Sequence, residues 1–314
     1  MWLLACVMLP LTQAWAGAYA YVTNQGDHTV SVVDLASREV KDTIPVGRAP
    51  VGVTVDGLGK HVYVSNVEGR SVSVIDMRSH KVLREISMPI APVGLTLSKT
   101  GGQLFVADWF HDQVLVYDTE TMTQSATIGL GGKAPAGLVL SREGASLYVA
   151  NRDSDDVSVI DTRSLRESHR IQVGRHPFGM ALSGDGRHLL VVNVESNSLS
   201  VIDVRKDVVA ATIQVGEHPY CVVTDAEGKR AYVTNTGEDS LSVVDLNLNK
   251  SIARIPVGGF PEGIAFDARR KQLLVASWMD NRLDIVDPVT RMLVKSIPTG
   301  SQSRAFGDFI GTVD

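Results

Sequence analysis

The chain has 314 residues, of which 44% are hydrophobic and 21% charged, and this ordinary globular composition excludes wholesale disorder. Its net charge of −5 excludes the basic surface by which proteins bind duplex nucleic acid. The 28 glycines and the low aromatic content of 6% are typical of short strands joined by tight turns.

Residues 1–16 have the pattern of an export signal. The apolar run ends in Ala14-Trp15-Ala16, the small-residue pattern of a signal cleavage site, although no Lys or Arg precedes the run. We therefore expect cleavage after Ala16 and a periplasmic location. We expect no integral membrane segment, because the run is shorter than the about 20 residues that a membrane-spanning helix needs. Cys6 resembles the cysteine of a lipoprotein box, but lipoprotein anchoring is not expected because so few residues precede it.

After this signal, a tetrad related to Tyr-Val-Thr-Asn recurs seven times at intervals of 42 or 43 residues. Each interval contains four strand-length runs bounded by Gly, Asn, Asp or Pro, and none has helical periodicity. Four antiparallel strands in a unit of about 42 residues are typical of a propeller blade. The sequence predicts an all-β fold, a seven-bladed β-propeller of four-stranded antiparallel blades, as one domain over residues 17–314. The tetrads begin at Tyr21, Tyr63, Phe105, Tyr148, Leu190, Tyr232 and Leu274.

The two ends of the chain predict how the ring closes. No first strand precedes the tetrad at Tyr21, whereas the prolines that begin first strands recur from Pro50 to Pro261 and reach position 303 after one more interval. We expect residues 304–310 to supply the missing innermost strand of the N-terminal blade, so that the ring has no exposed sheet edge there. Residues 311–314 are then expected to contribute little.

The tetrads, together with runs such as Ser200-Val201-Ile202-Asp203, resemble the repeats of the YVTN family of bacterial, exported β-propeller proteins. The resemblance extends over residues 19–310. It implies the propeller fold but leaves several functions open. Similar repeats occur in cell-surface proteins, in periplasmic propellers, in propeller lactonases and in the haem-carrying propeller of periplasmic nitrite reductase.

One face of the ring is the predicted binding face. The loops that lead into first strands and those that leave second strands open on the same face, around the central channel. Residues that break the repeat there are candidates for binding, because residues that follow the repeat are explained by the blade. The aspartate that ends each third strand follows the repeat and is expected to serve a turn. The candidates for binding a ligand or partner are Trp109, Phe110, His111, Phe178, Tyr220, Phe260, Glu262, Trp278 and Arg304.

His176, His218 and Cys221 are the candidate metal ligands. The two histidines occupy matching positions in adjacent repeats, and nitrogen and thiolate ligands suit zinc, copper or haem iron. The simpler alternative is that the histidines cap loops by hydrogen bonds and that the cysteine is a small buried residue. The sequence has no C-x-x-C, C-x-x-C-H or H-E-x-x-H motif, so it requires no cofactor, although it allows a metal or haem.

These features favour an exported, non-catalytic binding or scaffold propeller, expected to be a monomer. It would capture a protein partner, a polymer or a small ligand at the channel mouth. No nucleophile motif of the G-x-S-x-G type is present, and no catalytic residue is predicted. The alternative is a propeller that handles a metal or cofactor (haem, copper or quinone) near His176 and His218. A lactonase-like enzyme using Glu262, His218 and Arg304 is a further alternative.

Overall fold

Seven antiparallel sheets surround a central channel in the computed structural model, which describes residues 17–313 and contains no helix in that range. Each sheet contains a four-stranded antiparallel blade, and one sheet has a short fifth strand added in the parallel direction. Neighbouring blades contact each other mainly through their innermost strands. This architecture confirms the predicted seven-bladed β-propeller with four-stranded blades.

The strands are numbered β1 to β29 in chain order. Blade I contains β29 (Ile310–Val313), β1 (Gly17–Asn24), β2 (Thr29–Asp34) and β3 (Glu39–Pro45), from the channel outward. Blade II contains β4 (Pro50–Val55), β5 (His61–Asn66), β6 (Ser71–Asp76) and β7 (Lys81–Ser87), and blade III contains β8 (Pro92–Leu97), β9 (Gln103–Asp108), β10 (Gln113–Asp118) and β11 (Gln124–Gly129). Blade IV contains β12 (Pro135–Leu140), β13 (Ser146–Asn151), β14 (Asp156–Asp161) and β15 (Arg166–Gln172), and blade V contains β16 (Pro177–Leu182), β17 (His188–Asn193), β18 (Ser198–Asp203) and β19 (Val208–Gln214). Blade VI contains β20 (Pro219–Thr224), β21 (Arg230–Asn235), β22 (Ser240–Asp245) and β23 (Lys250–Pro256), and blade VII contains β24 (Pro261–Asp267), β25 (Gln272–Ser277), β26 (Arg282–Asp287) and β27 (Met292–Pro298). The remaining strand, β28 (Phe306–Asp308), takes part in closing the ring.

The burial of each strand follows its place in the blade. Second and third strands such as β5 and β6 are buried along almost their whole length, because both faces of a blade pack against neighbouring blades. Outermost strands such as β7 are exposed, because they lie at the rim of the ring. The hydrophobic core therefore lies between the blades, and the first strands line the channel.

Two polar side chains that recur from blade to blade stabilise the turns and the sheets. Asp34, at the end of a third strand, accepts hydrogen bonds at 2.7 and 3.0 Å from two backbone N–H groups of the turn that follows. Its counterparts such as Asp161 and Asp287 bind their turns in the same way, which confirms that these aspartates are turn residues. Asn66 of a tetrad donates to the hydroxyl groups of Ser71 and Ser73 at 3.0 and 2.9 Å and so joins the second strand to the third.

The C-terminal segment closes the ring as predicted, but its path differs from the predicted one. β29 pairs antiparallel with β1 over Gly17–Ala20, and Ser303 forms an isolated bridge with Asn24. Between these two contacts the chain leaves blade I. There β28 pairs with β4 of blade II in the parallel direction.

The physical reason is that this segment is two residues longer than the repeat predicts. In blade I, Ser303 and Ile310 pair with the second strand, and six residues lie between them. In blade II, Pro50 and Val55 make the equivalent pairings, and only four residues lie between them. The two extra residues do not fit a regular strand beside β1, and the surplus bulges toward blade II.

Two details of the predicted closure are therefore wrong. Residues 304–310 do not form a single innermost strand, because the chain from Phe306 to Asp308 pairs with the neighbouring blade. Residues 311–313, which were expected to contribute little, belong to the regular strand that completes blade I.

The predicted export signal and Cys6 lie in residues 1–16, outside the described residues, as does residue 314. Residues 17–313 include no helix long and apolar enough to cross a membrane.

Candidate functional site

One residue from each blade contributes to a layer that closes the channel just inside the predicted binding face. Each of these residues follows the position of the first-strand proline. The side chains on one half of the layer are small, and those on the other half are large. The ring of Phe178 is central to the large half, with its centroid 4.4 Å from that of Tyr220 and 4.9 Å from that of Phe306. Phe178 and Phe306 are each only 6% exposed, so they fill the channel rather than line an open mouth. The closing layer consists of Val51, Val93, Ala136, Phe178, Tyr220, Glu262 and Arg304.

Trp109 extends this aromatic group toward the binding face. Its ring centroid is 6.0 Å from that of Phe178, and the Arg152 guanidinium lies 5.2 Å above the indole. A guanidinium over an indole face is a favourable contact of about 0.5–1 kcal/mol at an exposed site. Trp109 is half-buried, so part of it remains available to a ligand. We call Trp109, Phe178, Tyr220 and Phe306 the aromatic cluster.

An ion pair in the closing layer joins blade VII to the C-terminal segment. Nη2 of Arg304 donates to Oε1 of Glu262 at 3.0 Å, and Nε lies 2.8 Å from Oε2. Burial raises the pKa of Glu262 to about 7, and Arg304 opposes this shift. Burial also raises the pKa of Tyr220, and the charge of Glu262 adds to that effect. The layer therefore contains a carboxyl group that titrates near neutral pH.

His176 is held in place by a carboxylate. Its Nδ1 lies 2.9 Å from Oε1 of Glu195, in the loop after the second strand of the same blade, and Nε2 has no partner among residues 17–313. The backbone here has a φ of 52°, and its N–H donates to Oδ1 of Asp155 at 2.9 Å. Ala134 adopts the same conformation with the same kind of backbone hydrogen bond, to Asp112. The loop therefore does not need a histidine at this position.

His218 occupies the matching position in blade VI but has no carboxylate partner. Blade VI has Gly237 where blade V has Glu195, and a Cβ atom on that glycine would lie 2.8 Å from Nδ1 of His218. The backbone N–H of His218 donates to Oδ1 of Asn197 at 2.9 Å. The imidazole is exposed, and no hydrogen bond or ion pair joins it to another residue that the structure describes. The simpler alternative was that both imidazoles cap loops by hydrogen bonds. Only the imidazole of His176 makes such a contact.

Cys221 is a buried free thiol that does not join the two imidazoles. It borders the channel cavity, whereas neither histidine does. Burial raises the pKa of its thiol, with a smaller contribution from Glu262, and this disfavours the thiolate that binds metals. Within the described range no three His, Cys, Asp or Glu side chains form a group that could hold a metal ion. The three predicted metal ligands are thus not brought together as one set.

The other predicted binding residues form two separate groups. The rings of Phe260 and Trp278 pack together with centroids 5.7 Å apart. Phe110 is 71% exposed and borders, with His111, a second cavity of about 480 Å³. Neither group contains a member of the aromatic cluster.

Another cavity opens on the opposite face of the ring. It has a volume of about 670 Å³ and is lined by the later residues of the first strands and by the turns that follow them. Phe306 belongs to its lining, but His176, His218 and Trp109 do not. The closing layer therefore separates the open part of the channel from the imidazoles.

Sequence reasoning missed three residues that bear on these sites. Arg152 and Glu195 lie in the loops that leave second strands, where departures from the repeat were sought. A charged loop residue alone does not reveal its contact with an indole or an imidazole. Asp308 projects into the channel cavity only because of the two-residue surplus, which the 42-residue period hides.

Many solved structures share this fold, including the following three. Hydrazine synthase from Kuenenia stuttgartiensis is 21% identical with a TM-score of 0.76, and the match covers 85% of this chain and 91% of that chain. A functionally unknown protein from Desulfotomaculum acetoxidans DSM 771 is 14% identical with a TM-score of 0.79, over 94% and 98% of the two chains. The dihydro-heme d1 dehydrogenase NirN, solved in complex with DHE, is 16% identical with a TM-score of 0.70, over 91% and 74%. These likenesses show the propeller fold, and no curated protein matches the chain.

Two family models match the sequence itself. The YNCE-like beta-propeller model matches residues 15–102, and the cytochrome D1 heme domain model matches residues 101–306. The second match covers about two thirds of the chain. It begins in blade III and ends in the C-terminal segment, so it includes the imidazole pair and most of the closing layer. The chain therefore belongs to the cytochrome D1 heme domain family of β-propellers.

Proposed function

We propose that this protein binds a haem-type tetrapyrrole on the face that carries His176 and His218. The observation that carries the proposal is the contact between Nδ1 of His176 and the carboxylate of Glu195, at 2.9 Å. Histidines that bind metals usually give their second ring nitrogen to a carboxylate or carbonyl, which orients the ring and leaves Nε2 for the metal. Membership of the cytochrome D1 heme domain family, and the likeness to NirN in complex with DHE, support this class of ligand.

The donor set on this face fits a haem better than a bare metal ion. Haem iron needs only one or two protein ligands, and a neutral imidazole is a common one. His176 is the first candidate ligand, and the unpartnered imidazole of His218 is the second. A bare zinc or copper ion would need three or four converging donors, and none of residues 17–313 form such a group.

The surroundings of the imidazoles suit a planar, partly anionic ligand. Trp109 offers a half-exposed aromatic surface, and Arg152 places a guanidinium beside it, 5.2 Å from the ring centroid. Apolar contact would bind the macrocycle, and the guanidinium would pair with its carboxylates. When bound, the iron would supply electron transfer or ligand activation, whereas this chain's residues would bind and orient the group. Residues 1–16 support a periplasmic location for this function.

The sequence offered a cofactor-handling propeller as the alternative to a binding scaffold. Haem binding is a form of that alternative, and it is better supported than the scaffold hypothesis. The scaffold hypothesis relied on aromatic residues presented at the channel mouth, but Phe178 is buried and Tyr220 is half-buried in the closing layer. Phe110 and Met279 are the strongly exposed apolar residues on this face, at 71% and 62%. They are too few to make an extended partner surface on their own.

A spectroscopic titration tests the proposal. Purified protein is titrated with ferric protoporphyrin IX, and the Soret band and the affinity are compared among the wild type, His176→Ala, His218→Ala and the control His169→Ala on an outer strand. We expect one equivalent to bind with the spectrum of a histidine-ligated haem, which His176→Ala weakens at least tenfold and His169→Ala leaves unchanged. Binding that neither His176→Ala nor His218→Ala alters, or the absence of binding, would contradict the proposal.

A further inference from the structure

The channel cavity contains a carboxylate that the fold presents to the lumen. The side chain of Asp308 is accessible inside the cavity, and no hydrogen bond or ion pair joins it to another residue in the described range. Asp56 also borders the cavity, but its carboxylate accepts hydrogen bonds from three backbone N–H groups of its own turn. Asp308 therefore has no structural task comparable to that of Asp56.

The two surplus residues of the C-terminal segment explain why a carboxylate lies there. A segment of the regular length would run beside β1 and would present only small or apolar side chains to the cavity, as β4 does with Thr54 and Val55. The longer segment turns toward blade II, where Gly307 has a φ of 121° and approaches the carbonyl oxygen of Val53. Asp308 pairs with Thr54 at the end of this excursion. The feature thus breaks the sevenfold repeat at one point on the channel wall.

The charge of Asp308 is poorly compensated in the free protein. Burial within the ring raises the pKa of its carboxyl group, and the charge of Lys99, which also borders the cavity, only partly opposes this shift. An ionised carboxylate that is partly withdrawn from water inside the ring costs free energy unless a counter-charge lies close to it. A cation that enters the cavity would provide that counter-charge.

The wall around Asp308 suits an apolar body attached to the cation. Half-buried aliphatic side chains such as Leu140 and Leu182 line the cavity, together with the rings of Phe266 and Phe306. Aromatic rings also attract cations through their negative faces. A volume of about 670 Å³ lies within the range of about 300–1,000 Å³ found for small-molecule sites.

We propose that this cavity binds a small organic monocation with an apolar body, with Asp308 as the anchor of its ammonium group. This site is separate from the imidazole face, because the closing layer lies between them. It does not depend on haem binding, and each proposal can fail while the other stands.

The experiment uses three phenyl compounds of similar size and different charge. Binding of 2-phenylethylammonium, 2-phenylethanol and 3-phenylpropanoate to the purified protein is measured by calorimetry at about pH 8, where the Asp308 carboxylate is more fully ionised. The same titrations are made on Asp308→Asn and on the control Glu227→Gln, which removes one negative charge from an exposed turn on the same face. Melting temperatures establish that each variant is folded.

We expect the ammonium compound to bind the wild type at least about tenfold more tightly than the alcohol, and the carboxylate compound to bind least. Asp308→Asn should abolish this preference, Glu227→Gln should retain it, and Lys99→Met should strengthen it because it removes a competing positive charge. Equal binding of the three compounds by the wild type would overturn the proposal, as would an unchanged ammonium affinity in Asp308→Asn. No detectable binding of the ammonium compound at millimolar concentration would also overturn it.

Discussion

Arg304 forms a two-contact ion pair with Glu262, at 2.8 and 3.0 Å, and so ties the C-terminal segment to the inner strand of blade VII. Glu262 is 2% exposed and lies beside the aromatic cluster. The pair therefore belongs both to the closure of the ring and to the layer that closes the channel, and its protonation should affect stability.

The raised pKa of Glu262 predicts a stability that falls as the pH rises. Its pKa is near 4.5 in the unfolded chain and about 7 in the folded protein, so the folded state binds the proton more tightly. The contribution is fully present below pH 4.5 and is lost as the pH rises through about 7. Its size is at most roughly 3 kcal/mol, because each tenfold difference in proton affinity between the two states corresponds to about 1.36 kcal/mol.

Urea unfolding between pH 4.5 and 7.5 measures this effect as the difference between the wild type and Glu262→Gln. Glu217→Gln, on the exposed part of the same face, is the matched control. The wild type and the control should lose the same stability over this range, and Glu262→Gln should lose less. Identical pH profiles for all three proteins would show that Glu262 titrates normally.

The short C-terminal strand β29 should contribute strongly to the stability of the protein. A protein that ends at Phe309 lacks β29, so the backbone groups of Gly17–Ala20 that point toward β29 lose their partners, at a cost of about 1–3 kcal/mol for each buried group. We expect the melting temperature to fall on the order of 10 °C. A protein that ends at Val313 should melt as the full chain does. If the two truncated proteins melt at the same temperature, the pairing of β29 contributes nothing.

Close approach of neighbouring first strands should make Gly94 sensitive to substitution. A Cβ atom on Gly94 would collide with the carbonyl oxygen of Ala136 in the next blade, whereas one on Gly57 would meet nothing within 4 Å. Backbone atoms move less easily than side chains, so Gly94→Ala should destabilise the protein by about 1–3 kcal/mol. Gly57→Ala should change the stability little. Equal stabilities in a denaturant titration would mean that the first strands can separate at no cost.

Cys221 should be inert in the folded protein. Its side chain is buried and its pKa is raised, so little reactive thiolate is present near pH 8. In a Cys6→Ser background, Ellman's reagent should react with Cys221 only after unfolding by denaturant. Rapid reaction of the native protein would show that the thiol reaches solvent and would restore it as a candidate ligand.

The sequence alone determined the architecture, because the fold is a local unit repeated at a fixed interval. Tetrads, turn aspartates and first-strand prolines each act within one blade or between neighbours, so their spacing predicted seven blades and a C-terminal strand that completes the first. The same spacing located His176 and His218 as departures from the repeat. These predictions needed no knowledge of distant contacts.

Only the tertiary structure decided what those departures do, because residues far apart in the chain meet only when the ring closes. Phe178 and Tyr220 were predicted at an open mouth, but they pack on Phe306 from the other end of the chain and close the channel there. The contact between Glu195 and His176, and the absence of a partner for Asp308 among the described residues, likewise depend on which loops and strands lie side by side. Spacing places a residue on a face, whereas packing determines whether its side chain is buried, paired or free.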